Sequence, residues 1–204
     1  ILEERFFLYK NFEVINNDIL KVDLNEIIKQ AKEKFNLKNA KIVANLPYYI
    51  TTPIIMKLLE SKIDITSITV MIQKEVADRL AEIPGGKNTG AITYTVYYYG
   101  EPEKLLEVPK SSFIPEPSVT SEVIKINIRK EPPVKVQNEE RFFKLIKVAF
   151  LQRRKTLLNS LTNNGISNKE ELTQLLSKLN IDEKIRSEKL TIDQFAELSN
   201  NLNT

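Results

Sequence analysis

The chain predicts an α/β fold followed by a small helical domain, and two observations carry that reading. Up to residue 131, short apolar strands alternate with amphipathic helical stretches, the order expected of a largely parallel sheet with crossover helices. After Glu131-Pro132-Pro133 the apolar spacing becomes helical throughout. The expected units are therefore residues 1–131 and residues 132–204.

Each element follows from local pattern. Ile1 to Phe6 already reads as helix, with no initiator Met before it, so a preceding segment is expected. Phe12 to Ile15 reads as a short strand ending at Asn17-Asp18. Leu24, Ile27, Ile28, Ala31 and Phe35 lie at helical spacing. Lys41 to Ala44 is an apolar strand, and Thr52-Pro53 offers an N-cap with Pro at the first helical position for a helix through Leu59. Ile65 to Ile72 reads as strand and Lys74 to Ala81 as a short helix. The turn-forming run Pro84 to Gly90 is a loop, followed by expected strands over Ile92–Tyr99, Lys104–Val108 and Glu122–Ile128. Glu139 to Leu161 is helical with a break in the middle, and Asn164-Gly165 is a stop. Ser167 with Glu170, and Thr191 with Gln194, have capping-box spacing at two further helix starts.

Composition narrows the chemistry. With 42% hydrophobic and 28% charged residues the chain is ordinary for a globular protein, and no apolar run reaches the roughly 18 to 20 residues of a membrane span. The absence of Cys removes disulfides and thiolate catalysis and suits a cytoplasmic protein. The absence of His removes Ser-His-Asp triads and His-ligated metals, so no metal is expected. A net charge of +3 does not by itself argue for nucleic acid.

Asn45-Leu46-Pro47-Tyr48, directly after an apolar strand, is the most informative run. Ligands of open α/β sheets bind at the carboxyl ends of the strands. Pro47 removes a donor and biases Leu46 away from helical backbone, so the Leu46 carbonyl is presented outward. The Asn45 side-chain oxygen and that carbonyl can then accept both hydrogens of an exocyclic amine, the arrangement needed to methylate the amino nitrogen of adenine. Tyr48 offers one stacking face, and Phe113, stiffened by Pro115 and Pro117, offers the other. Such stacking is worth about 1–3 kcal/mol per base. Asp18 follows a strand and can accept from a nucleoside cofactor, although on its own it reads as a turn cap. Between Asn138 and Asn159 stand six basic and two acidic residues, with Arg153, Arg154 and Lys155 together. Guanidinium forks match phosphate oxygens, and Lys74 and Arg79 can extend the basic face.

Taken in order, these runs resemble the KsgA family of ribosomal RNA adenine dimethyltransferases. The resemblance extends from about Phe12 to the C-terminus through Asn16-Asn17-Asp18, Asn45 to Ile50, Gln73 to Arg79, Phe113 to Ser121, Phe150 to Leu157 and Arg186 to Phe195. It implies a class I (Rossmann-like) methyltransferase sheet, N-terminally incomplete here, with a small C-terminal helical domain that binds RNA. It implies S-adenosylmethionine as methyl donor and two adjacent adenosines near the 3′ end of small-subunit rRNA as substrate, in a pre-ribosomal particle in the cytoplasm. By the same resemblance Asp18, Ile19 and Asn45 contact the cofactor, Asn45 to Pro47 hold the target amine, and Tyr48 and Phe113 sandwich the base. Lys74, Arg79, Arg153, Arg154 and Lys155 meet RNA. Nothing in the sequence demands more than a monomer. The other readings are a large-subunit rRNA adenine methyltransferase conferring macrolide resistance, an idle RNA-binding assembly factor, and a generic nucleotide-binding domain. The Phe113–Ser121 and Phe150–Leu157 runs favour the small-subunit enzyme.

The family's glycine-rich cofactor loop and ribose-holding acid have no counterpart after Ile1, since the five glycines (Gly85, Gly86, Gly90, Gly100, Gly165) lie too far along. Two absent βα units correspond to roughly 70 to 90 further N-terminal residues. In a 3-2-1-4-5 strand order they belong between Phe12–Ile15 and Lys41–Ala44, and their absence would leave a gap in the sheet. The 204-residue chain alone is expected to melt without cooperativity and to bind S-adenosylmethionine weakly; tight calorimetric binding with a sharp melt contradicts this.

Overall fold

Four strands, read along the sheet, run β1-β2-β4-β3 in the computed structural model, which describes residues 1–152 and 154–202. β1 (Lys41–Asn45) pairs in parallel with β2 (Ser67–Gln73), which pairs antiparallel with β4 (Ser121–Ile128). β3 (Gly100–Val108) pairs antiparallel with β4 on its other side and carries a register shift between Lys104 and Leu106. α1 (Leu2–Phe6) and α2 (Leu24–Phe35) precede the sheet, while α3 (Thr51–Glu60), α4 (Lys74–Leu80) and α5 (Ala91–Tyr99) fall between strands. α6 (Glu139–Ala149), α7 (Leu157–Asn163), α8 (Lys169–Lys178) and α9 (Ile192–Asn201) make the helical unit.

The sheet core gathers Ile55, Leu58, Ile68, Val70, Ile72, Ala77, Leu80, Val96, Ile124 and Ile126. Ile68, Ile72, Ile124 and Ile126 are completely buried. Each such side chain contributes about 1.5–3 kcal/mol relative to exposure. A second core joins Phe142, Leu145, Ile146, Leu157, Leu161, Leu172, Leu176 and Phe195 with two residues of α5, Tyr94 and Tyr98. α5 thus has one face in each core.

The expected strand over Ile92–Tyr99 is therefore corrected to a helix. Its β-branched and aromatic residues favour strands statistically, but burial on both sides overrides that weak preference. The Thr93 hydroxyl fixes the helix start, accepting from the Gly90 N–H at 2.9 Å and donating to the Arg79 carbonyl at 2.8 Å. The expected strand over Phe12–Ile15 is also corrected: it is irregular backbone with no strand partner, and Phe12 packs its ring on Phe6 at 4.4 Å. A lone strand cannot satisfy its backbone polar groups. The sheet accordingly has no gap at its centre; β1 forms one edge.

Two helix starts shift, α3 by two residues and α8 by one. α3 begins at Thr51, whose hydroxyl donates to the Pro47 carbonyl at 3.1 Å, so Thr52 is not the cap and Pro53 is the third helical residue. Asn168, not Ser167, caps α8, accepting from the Glu171 N–H at 2.9 Å, while Ser167 bonds the Glu171 carboxylate. Both donors and acceptors of the Thr191–Gln194 capping box are engaged, at 3.2 and 3.0 Å. The expected break within Glu139–Leu161 lies between α6 and α7, and Thr156 caps the second half.

Polar bonds tie α5 to the helical unit. The Tyr94 hydroxyl donates to the Leu190 carbonyl at 2.7 Å, with the Ser187 carbonyl at 3.2 Å, and burial raises its pKa well above the ordinary phenol value. Tyr99 donates to the Glu139 carboxylate, which also meets Lys62 at 3.0 Å. Tyr94→Phe leaves a buried carbonyl unpaired and is expected to destabilise by about 1–3 kcal/mol, each kcal/mol lowering Tm by roughly 2–4 °C in a calorimetric melt. At Gly100 α5 passes straight into β3, and an added Cβ would stand 2.4 Å from Ile126 Cγ2 and 3.0 Å from the Asn127 carbonyl oxygen. Gly100→Ala should accordingly cost about 1–3 kcal/mol by overpacking, read as a lowered denaturant midpoint.

Candidate active site

The site forms where β1 ends. Asn45 is the last paired residue, opposite Met71, and the Leu46 N–H extends the ladder by donating to the Met71 carbonyl at 3.3 Å. Pro47 (φ −60°, ψ 134°) then turns the chain away from helix into a single 3₁₀ turn, Tyr48–Ile50. Its carbonyl accepts from the Ile50 N–H at 3.2 Å and the Thr51 hydroxyl at 3.1 Å, which fixes the loop on the start of α3. Among the described residues, neither the Asn45 side-chain amide nor the Leu46 carbonyl makes a hydrogen bond. Leu46 itself is buried, so its backbone is anchored while its carbonyl remains available.

The Phe113–Ser121 run is brought to this loop from the far side of the sheet. Ser121 opens β4, in register with Gln73 of β2 and Val108 of β3. The Thr120 carbonyl accepts from the Lys74 N–H at 3.0 Å, and Ser121 Oγ lies 2.6 Å from the Tyr48 hydroxyl. Phe113 follows a 3₁₀ turn (Lys110–Ser112) in extended conformation and is half-buried. Neither Tyr48 nor Phe113 stacks on another aromatic ring among the described residues. Both retain faces for a flat ligand.

Asp18 occupies a tight turn. Its Oδ1 accepts from the Leu20 N–H at 2.9 Å, and its N–H donates to Asn17 Oδ1 at 2.8 Å. The turn-capping reading of Asp18 is thus realised, yet the residue is exposed with its second carboxylate oxygen outside that turn bond. Ile19, beside it, lines an apolar cavity of about 210 Å³ with Leu24, Ile28, Ala44 and Leu46, backing onto the Asn45 loop. The lining of this cavity is apolar apart from Lys41. Lys57 holds this turn to α3 by donating to the Leu20 and Val22 carbonyls, each at 2.8 Å. Sequence reasoning missed Lys57, because a helix lysine reads as surface. It also gave Ser121 no role, although that residue closes a motif run.

The basic residues divide. Lys74 lies on the Glu107 carboxylate, whose hydrogen bond outweighs a small desolvation and holds the lysine above its ordinary pKa. Arg79 bonds Glu75 one turn back. Arg154 and Lys155 stand exposed between α6 and α7, without an ion pair among the described residues. Arg153 lies outside the described residues. The fold therefore joins Asn45, Leu46, Pro47 and Tyr48 to the Phe113 run, and places Arg154 and Lys155 on the helical unit.

Residues 1–204 match the family described as ribosomal RNA adenine dimethylase. The chain is 51% identical over 203 residues to the ribosomal RNA small subunit methyltransferase A of Alkaliphilus oremlandii, covering 99% of this chain and 70% of that protein. It is 50% identical over 204 residues to the protein of that name in Clostridioides difficile, covering 100% and 70%. Among solved structures it is similar to a dimethyladenosine transferase from Plasmodium falciparum, with TM-score 0.73 and 26% identity over 97% of this chain and 75% of that one. The 23S rRNA methyltransferase ErmE shares the fold at TM-score 0.65 and 21% identity, over 100% and 77%. The family match over residues 1–204 and half-identical relatives across nearly every residue agree that this chain belongs to the ribosomal RNA adenine dimethylase family, whose fold is the Rossmann-like methyltransferase sheet.

Proposed function

We propose that the protein transfers methyl groups to the N6 amino nitrogens of two adjacent adenosines near the 3′ end of small-subunit rRNA, two to each, during ribosome assembly. The observation that carries this reading is the pair of uncommitted acceptors, the Asn45 amide oxygen and the Leu46 carbonyl, on a loop latched to the Phe113–Ser121 run. The half-identical relatives named for the small subunit support that substrate over the large-subunit alternative, to which the likeness is one of fold.

In this reading Asn45 and Leu46 accept the two amine hydrogens and turn the nitrogen lone pair outward. S-adenosylmethionine, when bound, would supply an electrophilic sulfonium methyl, toward which Asn45 and Leu46 aim that lone pair. No histidine base is needed, because the amine proton becomes acidic only after alkylation and then leaves to water. Tyr48 and Phe113 stack on the extruded base, whose unstacking must be offset. The gain in rate comes mainly from positioning and fixed dipoles. Asp18, Ile19 and Asn45 would contact the cofactor, Ile19 from the wall of the apolar cavity.

Residues 1–131 act as the methyltransferase unit and residues 132–204 as the RNA-binding unit, where Arg153, Arg154 and Lys155 meet phosphates, with Lys74 and Arg79 contributing from the first. The partner is rRNA in an assembling small-subunit particle, met by a monomer in the cytoplasm. No helix among the described residues is long and apolar enough to cross a membrane.

Nucleoside mass spectrometry of both rRNAs, from cells lacking the gene and cells with the complete gene restored, tests the reading. Restored dimethyladenosine in the small subunit is expected. Restoration confined to the large subunit selects the resistance-type enzyme, and no change in either selects an idle assembly factor. Asn45→Ala should reduce the methylation rate by on the order of a hundredfold, the scale of losing one preorganised polar contact, with Tm unchanged. Replacing Arg154 and Lys155 by Ala should weaken binding of rRNA fragments and flatten the log–log salt slope by about one per lost phosphate contact, measured by filter binding across salt concentrations.

A further inference from the structure

One hydrogen bond joins the two halves of the site, and its placement is more specific than the fold requires. Ser121 Oγ and the Tyr48 hydroxyl lie 2.6 Å apart although 73 positions separate them in the chain. Ser121 is completely buried at a junction of three strands, paired in register with Gln73 and Val108. It is therefore a fixed point, while Tyr48 is half-buried on a one-turn 3₁₀ segment. A tyrosine in that turn needs no burial or partner to be tolerated, since the neighbouring Tyr49 is 84% exposed. Nor does stacking on a base need a phenol hydroxyl, because a phenylalanine offers the same ring face. The hydroxyl is accounted for by the bond to Ser121, which pins the far end of the ring and so limits the swing of the side chain about Cα–Cβ. Ser121 also ends the proline-stiffened run that carries Phe113, so that run and the Tyr48 loop meet at one residue.

We propose that Ser121 is a positioning residue for base recognition, holding Tyr48 in the orientation that stacks on the target adenine. The inference rests on the function proposed above and deepens it. Ser121 does not touch the reacting atoms; it reduces the freedom that Tyr48 would otherwise lose on binding.

The test uses protein from the complete gene and undermethylated small-subunit particles, comparing wild type, Ser121→Ala, Ser121→Thr, Tyr48→Phe and the Ser121→Ala/Tyr48→Phe double variant. Ser121→Ala and Tyr48→Phe should each lower kcat/KM by on the order of tenfold, with the double variant no worse than either, because both remove one bond. Ser121→Thr, which keeps the hydroxyl, should recover most of the rate. Melting temperatures report folding separately. Unchanged kinetics in Ser121→Ala, losses that multiply in the double variant, or losses that track Tm overturn the positioning role. If wild type restores no dimethyladenosine, the proposed function fails and this inference with it; wild-type activity with an unaffected Ser121→Ala overturns the inference alone.

Discussion

α5 is buried on two sides, and the arrangement of both units follows from that constraint. Val96 enters the sheet core while Tyr94 and Tyr98 enter the helical core, so neither core closes without the helix. A phenol taken out of water requires a hydrogen-bond partner. Tyr94 finds the Leu190 carbonyl and Tyr99 finds Glu139, and these demands allow only a narrow range of docking angles. Gly100 lets the helix run into β3 without a linker, which fixes the sheet to the same frame.

That frame matters because the chemistry sits on loops. A loop positions a side chain only as well as its ends are held. The Asn45–Tyr48 loop is held by a ladder bond at Leu46, by the Pro47 carbonyl on α3, and by Tyr48 on Ser121. The Phe113 run is held by β4, by the Lys74 N–H and by the same serine. The Asp18 turn is held by Lys57. The first two sets of restraints originate in strand ends and helix starts, and Lys57 acts from the last turn of α3.

Charge is distributed to match. On the α/β unit Lys74, Arg79 and Lys104 lie against Glu107, Glu75 and Asp78, all at partly exposed positions where such pairs add little stability. Their effect is to moderate the positive potential beside the loop. Arg154 and Lys155 remain exposed on the helical unit, without an ion pair among the described residues. Phosphate binding by exposed cations is long-ranged and salt-sensitive, whereas the stacking proposed for Tyr48 and Phe113 would be short-ranged.

Sequence alone determined whatever depends on neighbours along the chain. The β1 strand and its Asn45-Leu46-Pro47-Tyr48 loop, the α4 helix, the β4 strand, the break between α6 and α7, and the Thr191–Gln194 box all follow from proline, capping side chains and short-range periodicity. The family was legible because the order of its motif runs along the chain is distinctive. Tertiary structure alone decided what depends on distant partners. Ile92–Tyr99 has strand composition, yet two cores made it a helix; Phe12–Ile15 has strand composition, yet lacks a neighbour to bond. The Ser121–Tyr48 bond was invisible for the same reason. A serine at a strand start and a tyrosine in a turn acquire a joint role only when a sheet register brings their hydroxyls together, and local propensity contains no information about that distance.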